Sequence, residues 1–258
     1  MTSPLLKPDL DQLVADLGEL VVCESPSSDL VAVERSANVV AALGARVLGV
    51  APEVIVVDGC THLRWRFGEG DRVLLLGHHD TVWPIGSIDE HPWRVEEGRA
   101  YGPGCFDMKA GLVQMFHAVA ALPDRDGVTL LVTGDEEIGS PTSRALIETE
   151  SRRAGIALVL EASADNGALK TARKGVGVYE VRVSGRAAHA GLEPHSGINT
   201  TVAVAELVLA LAELDEGPGG NTVTPTLLTS GVAGNTVPAE ASLRVDVRSL
   251  TTADQERL

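Results

Sequence analysis

Positive charge is scarce in this chain. Its 258 residues carry 21 Lys and Arg against 36 Asp and Glu, a formal net charge of −15. Nucleic acid and anionic membranes are therefore not expected as partners. Part of the acid excess is available to bound cations instead. Aromatics are scarce too, with three Trp, two Tyr and three Phe. The core must be built from small residues, Ala, Val, Leu and Gly. Cys23, Cys60 and Cys105 lie far apart with no CxxC spacing, which reads as reduced thiols in a cytoplasmic protein. No apolar run approaches the roughly 20 residues of a membrane span. The start, "MTSPLLKPDL", lacks the basic and apolar regions of a signal peptide. Internal repeats and low-complexity segments are missing as well. What is present is an ordinary globular composition, 44% hydrophobic and 22% charged. Its length suits one or two domains at about 150 residues each.

Leu10, Leu13, Leu17, Leu20 and Val21 recur at helical spacing behind Asp9, a residue suited to cap that helix. A second helix is expected over "SDLVAVERSANVVAALG", stopping at Gly44. Short strands are expected at 46–50, 54–57 and 61–67. Three continuous apolar runs follow, "RVLLL" (72–76), "VTLLV" (128–132) and "IALVL" (156–160), the pattern of strands buried on both faces of an α/β sheet. Helices are expected between them at about 108–122 and 140–150, the latter with Ser140 as cap and Pro141 at its first position. Strand alternating with helix predicts a doubly wound, mostly parallel sheet over residues 1–173. Beyond Lys174 the pattern becomes β-α-β-β-α, one strand short of the β-α-β-β-α-β ferredoxin-like sandwich. Residues 174–258 are thus expected to form a second domain, and both domains to be incomplete at the C-terminus.

Ligands of an open α/β sheet bind beyond the carboxyl ends of its strands. His78 and Asp80 follow the first apolar run, Asp135, Glu136 and Glu137 the second, and Glu161 the third. So many acids on one rim would repel and raise one another's pKa values. A bound metal pair removes that cost, and mixed His and carboxylate donors suit zinc or a related transition metal. In "YGPGCFDMKAG" a tight glycine loop leads to Asp107, an anion that could bridge two dications. Taken singly, each residue has a plainer explanation. Asp107 is placed as a helix cap, Glu136 and Glu137 as acids near a helix start, Glu161 as a turn residue and His78 as a hydrogen-bonded rim histidine. Their shared location at three strand ends favours the metal reading.

"GHHDTV", "YGPGCFDMKAG", "TGDEEIGS" and "LEAS", in this order and spacing, resemble the dinuclear zinc exopeptidases and deacylases. These include glutamate carboxypeptidase, acetylornithine deacetylase, succinyl-diaminopimelate desuccinylase and the aminoacylases. The stretch "TVWPIG…PWRVEEGRAYGPG" leans toward glutamate carboxypeptidase. The resemblance implies two divalent ions, zinc first, with cobalt or manganese as alternatives. It implies His78, Asp107, Glu137 and Glu161 as metal ligands, with Asp107 bridging and its bond to Met108 cis. Asp80 would orient the His78 imidazole. His79 is the rival in register, but the His-x-Asp spacing selects His78. Glu136 would be the general base.

In the second domain, "GRAAHAG" is similar to a lid segment whose histidine, here His189, stabilises the oxyanion in a partner subunit's site. "AGNTVPAEASLRVDVR" is similar to a segment whose Asn and Arg, here Asn235 and Arg248, hold the substrate. By the same resemblance the lid mediates a homodimer in the full-length protein. One departure stands out. The last histidine is His195, so the histidine that the resemblance places near the C-terminus for the second metal is missing. The expectation is a zinc-dependent hydrolase of amide bonds in small peptides or N-acyl amino acids bearing a free carboxylate. The alternative is an inactive metal-binding fragment or pseudoenzyme acting only as a dimerising module.

Overall fold

The computed structural model describes residues 9–217 and 219–258. The chain divides into two compact units, one closing at Ala164 and one running from Asp165 to Leu258. In the first unit, helices α1 (Leu10–Val21) and α2 (Leu30–Leu48) precede a hairpin of β1 (Glu53–Val57) and β2 (Cys60–Phe67). Strand β3 (Val73–His78), the single turn α3 (Ser87–Glu90) and a small hairpin of β4 (Arg94–Glu96) and β5 (Arg99–Tyr101) follow. Helix α4 (Ala110–Ala120), strand β6 (Val128–Thr133), helix α5 (Arg144–Arg153) and strand β7 (Ile156–Val159) complete it.

The main sheet has the order β1-β2-β6-β3-β7. Strands β6, β3 and β7 run parallel, whereas β2 pairs antiparallel with both β1 and β6. The sheet is therefore mixed, not mostly parallel as expected. The cause is local: Asp58 and Gly59 both adopt positive φ, the conformation of a two-residue hairpin turn, so β2 returns beside β1 without a crossover. Strand β6 is buried along its whole length. Strand β7, expected to be buried, is instead the sheet edge, with Ile156, Leu158 and Val159 exposed.

Helix α1 starts as expected, with Asp9 Oδ1 accepting the Asp11 and Gln12 amides. Helix α2 does not stop at Gly44. It runs on to Leu48 and ends at Gly49, which takes the left-handed conformation that glycine adopts freely. This removes the strand expected at 46–50. Gly44 serves packing instead: a Cβ there would lie 2.4 Å from the Trp65 ring. Trp65 meets Phe116 edge-on at 5.2 Å between centroids, inside a core that also holds Leu20, Leu43, Leu112 and Leu130. Helix α5 starts at Arg144 rather than near Ser140, whose positive φ places it in the preceding loop.

The second unit contains β8 (Gly175–Ser184), β9 (Ala188–His189), α6 (Thr200–Ala212), β10 (Thr222–Ser230), β11 (Thr236–Val237), β12 (Glu240–Ser249) and α7 (Thr252–Arg257). Its antiparallel sheet has the order β10-β12-β8, and β9 pairs with β11 in a two-residue ladder. Asn199 caps α6, which packs Val204 and Leu207 against Leu243, Val245 and Val247 of the sheet. No helix among the described residues is long and apolar enough to cross a membrane.

Candidate metal centre

Parallel pairing of β3 with β6 and β7 brings their carboxyl ends side by side. The loops leaving those ends carry the ionisable residues. His78 closes β3 and is 1% exposed. Its Nδ1 donates to the Asp80 main-chain carbonyl at 3.0 Å, with the Asp80 carboxylate at 3.4 Å. This leaves Nε2 facing outward to Glu161 Oε1 at 3.1 Å and Asp107 Oδ1 at 3.2 Å, with Glu136 Oε2 at 3.9 Å. Glu137 belongs to the same centre: its carboxylate, Asp107 and a ring nitrogen of His78 offer donor atoms all within 4.8 Å of one another.

Two glycines allow this convergence. Gly104, at positive φ, leads the loop into Asp107, and a Cβ there would stand 2.5 Å from the Thr81 methyl. Gly111, in the first turn of α4, approaches the end of β7 so closely that a Cβ would lie 1.9 Å from the Leu160 carbonyl oxygen. Asp107 and Glu161 are thereby brought to one imidazole. The peptide bond from Asp107 to Met108 is cis. Lys109, 2% exposed, donates through Nζ to the carbonyls of Leu20 and Cys23 and ties this loop to the end of α1. Burial pushes its pKa down to about 8.

Asp80 does more than face His78. It is fully buried, and its carboxylate accepts from Ser27 Oγ at 2.6 Å, Glu136 N at 3.2 Å and Glu137 N at 3.1 Å. One side chain thus fixes the imidazole and the turn that bears both glutamates. Burial opposes its charge, but the His78 ring beside it and the hydrogen bond from Ser27 hold its pKa below the usual range.

The electrostatics match a cation site. Burial works against a charged His78, yet Asp80, Glu161 and Glu136 together push its pKa up to about 11. Burial raises Asp107, Glu136 and Glu137, and neighbouring carboxylates add to the rise. Glu161 is lowered, chiefly by its hydrogen bond to His78. Five carboxylates, Asp80 included, are therefore gathered round one imidazolium, an arrangement that a dication would relieve more fully. The spacing fits as well. Donors at about 2.0 Å from a tetrahedral zinc stand about 3.3 Å apart, close to the 3.1 and 3.2 Å seen here.

His79 is turned away from the centre. It is fully buried, donates through Nε2 to the Thr61 carbonyl at 3.1 Å, and is kept neutral by burial, which takes its pKa down to about 4. In the second unit His189 and Asn235 lie together, linked by the ladder register of His189 with Thr236 and by the Ala190 amide donating to the Asn235 carbonyl at 2.9 Å. His189 Nδ1 accepts the amides of Gly191 and Leu192, both at 3.2 Å. Arg248 stands near the far end of β12, bonded to Asp246 at 2.7 and 3.0 Å, so this unit does not bring it beside Asn235.

Ser27, His62, Lys109 and Thr142 also support this region, and most carry little signal in the sequence. The first two are buried polar residues that bond partners distant in sequence, and nothing in their neighbourhood advertises that. Lys109 carried a signal: it stands inside the glycine-rich motif and at the start of a largely apolar helix.

Residues 74–242 match the sequence pattern of peptidase family M20/M25/M40. Carboxypeptidase G2 of Pseudomonas sp. (strain RS-16) is 36% identical over 185 residues, covering 69% of this chain and 45% of that protein. Succinyl-diaminopimelate desuccinylase of Caulobacter vibrioides is 31% identical over 193 residues, covering 67% and 49%. The chain thus spans about half the length of these curated relatives. Among solved structures, aminopeptidase PepT from Bacillus cereus superposes with a TM-score of 0.68 at 20% identity, covering 96% of this chain and 69% of that one. The metallo-carboxypeptidase Sso-CP2 from Sulfolobus solfataricus gives 0.66 at 18% identity, covering 96% and 72%.

Proposed function

The chain belongs to peptidase family M20/M25/M40, and from that premise we propose that it carries the metal-binding face of a hydrolase acting on amide bonds. The convergence of Asp107 and Glu161 on Nε2 of His78 carries the reading. His78, Asp107 and Glu161 would hold one divalent ion. Glu137, with Asp107 between, would hold a second, zinc first and cobalt or manganese as alternatives. Bound dications supply Lewis acidity toward a scissile carbonyl and toward water.

The chain's own residues supply the rest. Asp80 keeps the His78 ring oriented, so that Nε2 presents its lone pair once the proton is displaced. Glu136 is the base: its raised pKa suits it to take a proton from water and return it to the leaving amine nitrogen. In the second unit, read as a ferredoxin-like lid, His189 would stabilise the oxyanion in the site of a partner subunit and Asn235 would hold the substrate. Arg248 would exchange Asp246 for a substrate carboxylate. Relatives named as a carboxypeptidase and a desuccinylase support a small peptide or N-acyl amino acid with a free carboxylate as substrate. A homodimer through the second unit and a cytoplasmic location complete the proposal.

A second reading has its own support. His78 is the single imidazole in the two donor clusters at these strand ends among the described residues. One tightly held ion without turnover is the outcome this favours. A panel of dipeptides and N-acyl amino acids, assayed for amine release with added zinc or cobalt, decides between the two. Turnover that Glu136→Gln abolishes supports the hydrolase, and no turnover with one bound ion supports a metal-binding module. Light scattering with and without zinc tests the dimer.

A further inference from the structure

Behind the Glu136–Glu137 turn lies another cluster, Cys60, His62 and Asp135, each buried. Its donor set has the chemistry of a metal site, but the imidazole and the carboxylate are already engaged. The Gly134 amide donates to His62 Nδ1 at 3.2 Å. Nδ1 is therefore an acceptor, and the proton of the ring sits on Nε2. Nε2 donates to Thr142 Oγ1 at 3.0 Å, and Thr142 Oγ1 donates onward to Asp135 Oδ2 at 2.7 Å. The direction of every hydrogen bond in this chain follows from the first. Asp135 also accepts from Thr142 N at 2.6 Å, Ser143 N at 3.1 Å and Ser143 Oγ at 2.5 Å, and its carbonyl accepts the Ser140 amide at 2.9 Å.

The turn needs such fixing. None of residues 136–141 is buried, so apolar packing does not hold the two glutamates. Hydrogen bonds do, from Asp80 on one side and Asp135 on the other. We propose that the His62–Thr142–Asp135 relay is a positioning device, in which the Thr142 hydroxyl couples strand β2 to the turn that presents Glu136 and Glu137. This rests on the reading of Glu137 as a metal ligand. Thr142 touches none of the proposed ligands, so its influence is exerted only through the placement of the turn.

The test compares Thr142→Val, which keeps the shape and removes the hydroxyl, with Thr142→Ser, which keeps the hydroxyl. Zinc affinity is measured by competition with a chromophoric chelator on the full chain. Loss of a supporting partner weakens metal binding about 10–100-fold, and the valine variant is expected at the lower end of that range. The serine variant should stay within about threefold of the wild type. Thr142→Ala carries the same expectation as Thr142→Val and replaces it if the valine variant does not fold. Equal zinc affinity in wild type and valine variant overturns the relay while leaving the metal reading intact. A serine variant as weak as the valine one also overturns it, because packing rather than the hydroxyl would then be at work. A wild-type chain that binds no zinc removes both.

Discussion

Replacing Asp80 by alanine is the sharpest single perturbation of this centre. Its carboxylate accepts three hydrogen bonds, from Ser27 Oγ and from the amides of Glu136 and Glu137, while wholly buried. Hydrogen bonds to a charged group are worth about 1.5–3 kcal/mol each, so the gross loss is roughly 5–9 kcal/mol. Relief of the buried charge returns several kcal/mol of desolvation. The net cost should be about 3 kcal/mol, which lowers the melting temperature by about 6–12 °C in a domain of this size. The variant removes the carboxylate beside the His78 ring and one of the two supports of the glutamate turn, while the ring keeps its bond to the main-chain carbonyl of residue 80, so zinc affinity should fall about 10–100-fold. Differential scanning calorimetry of chelator-treated protein reads the first effect, and competition titration reads the second. Asp80→Asn should recover part of the stability by restoring one acceptor. An alanine variant that melts within about 2 °C of the wild type and binds zinc equally well would refute the assignment of Asp80 as the common support.

Glu136→Gln should leave zinc bound while reducing turnover about 10²–10⁴-fold; loss of metal instead would make Glu136 a ligand. Gly111→Ala forces a methyl group to within 1.9 Å of the Leu160 carbonyl oxygen, and overpacking of this kind costs about 1–3 kcal/mol. Chemical denaturation should show that loss, and an unchanged midpoint would mean that α4 can shift freely against β7. Zinc binding should strengthen with pH. Because His78 is pushed up to about 11 in the metal-free chain, zinc must displace its proton at every pH below that value. Affinity should then rise about tenfold per unit between pH 6 and 8 from this one proton. A flat profile would show that Nε2 is not a ligand.

Where local chemistry decides, the residue pattern was informative. Asp9 caps α1 because its side chain serves amides two and three residues away, and the apolar runs at 128–132 and 72–76 form strands. His78, Glu137 and Glu161 come together because strand ends in such sheets share one rim, whereas Asp107 joins them from the glycine loop ahead of α4. Edge and centre were not legible. Ile156, Leu158 and Val159 form the same kind of apolar run as the buried β6, yet only neighbouring strands determine what covers them. Gly44 has the look of a helix stop, but the reason for a glycine there is the Trp65 ring, contributed by a strand on the far side of a hairpin. Ser140 and Pro141 resembled a helix start, and hydrogen bonds to Asp135 delay that helix by one turn. Such long-range partners have no signature in a short window.

The order of strands also has a kinetic meaning. Val73 of β3 pairs with Ile156 of β7, so the last parallel strand docks only after a loop of some eighty residues, spanning α4, β6 and α5, has closed. Contacts of such separation form late, because the entropy of closure precedes their reward. Glu161 lies just past the end of β7 and is expected to reach His78 together with that strand. The imidazole and Asp107 are much closer along the chain and can meet earlier. Full strength of zinc binding during refolding should therefore report the arrival of β7 itself, making the cation a stopwatch for the completion of the sheet.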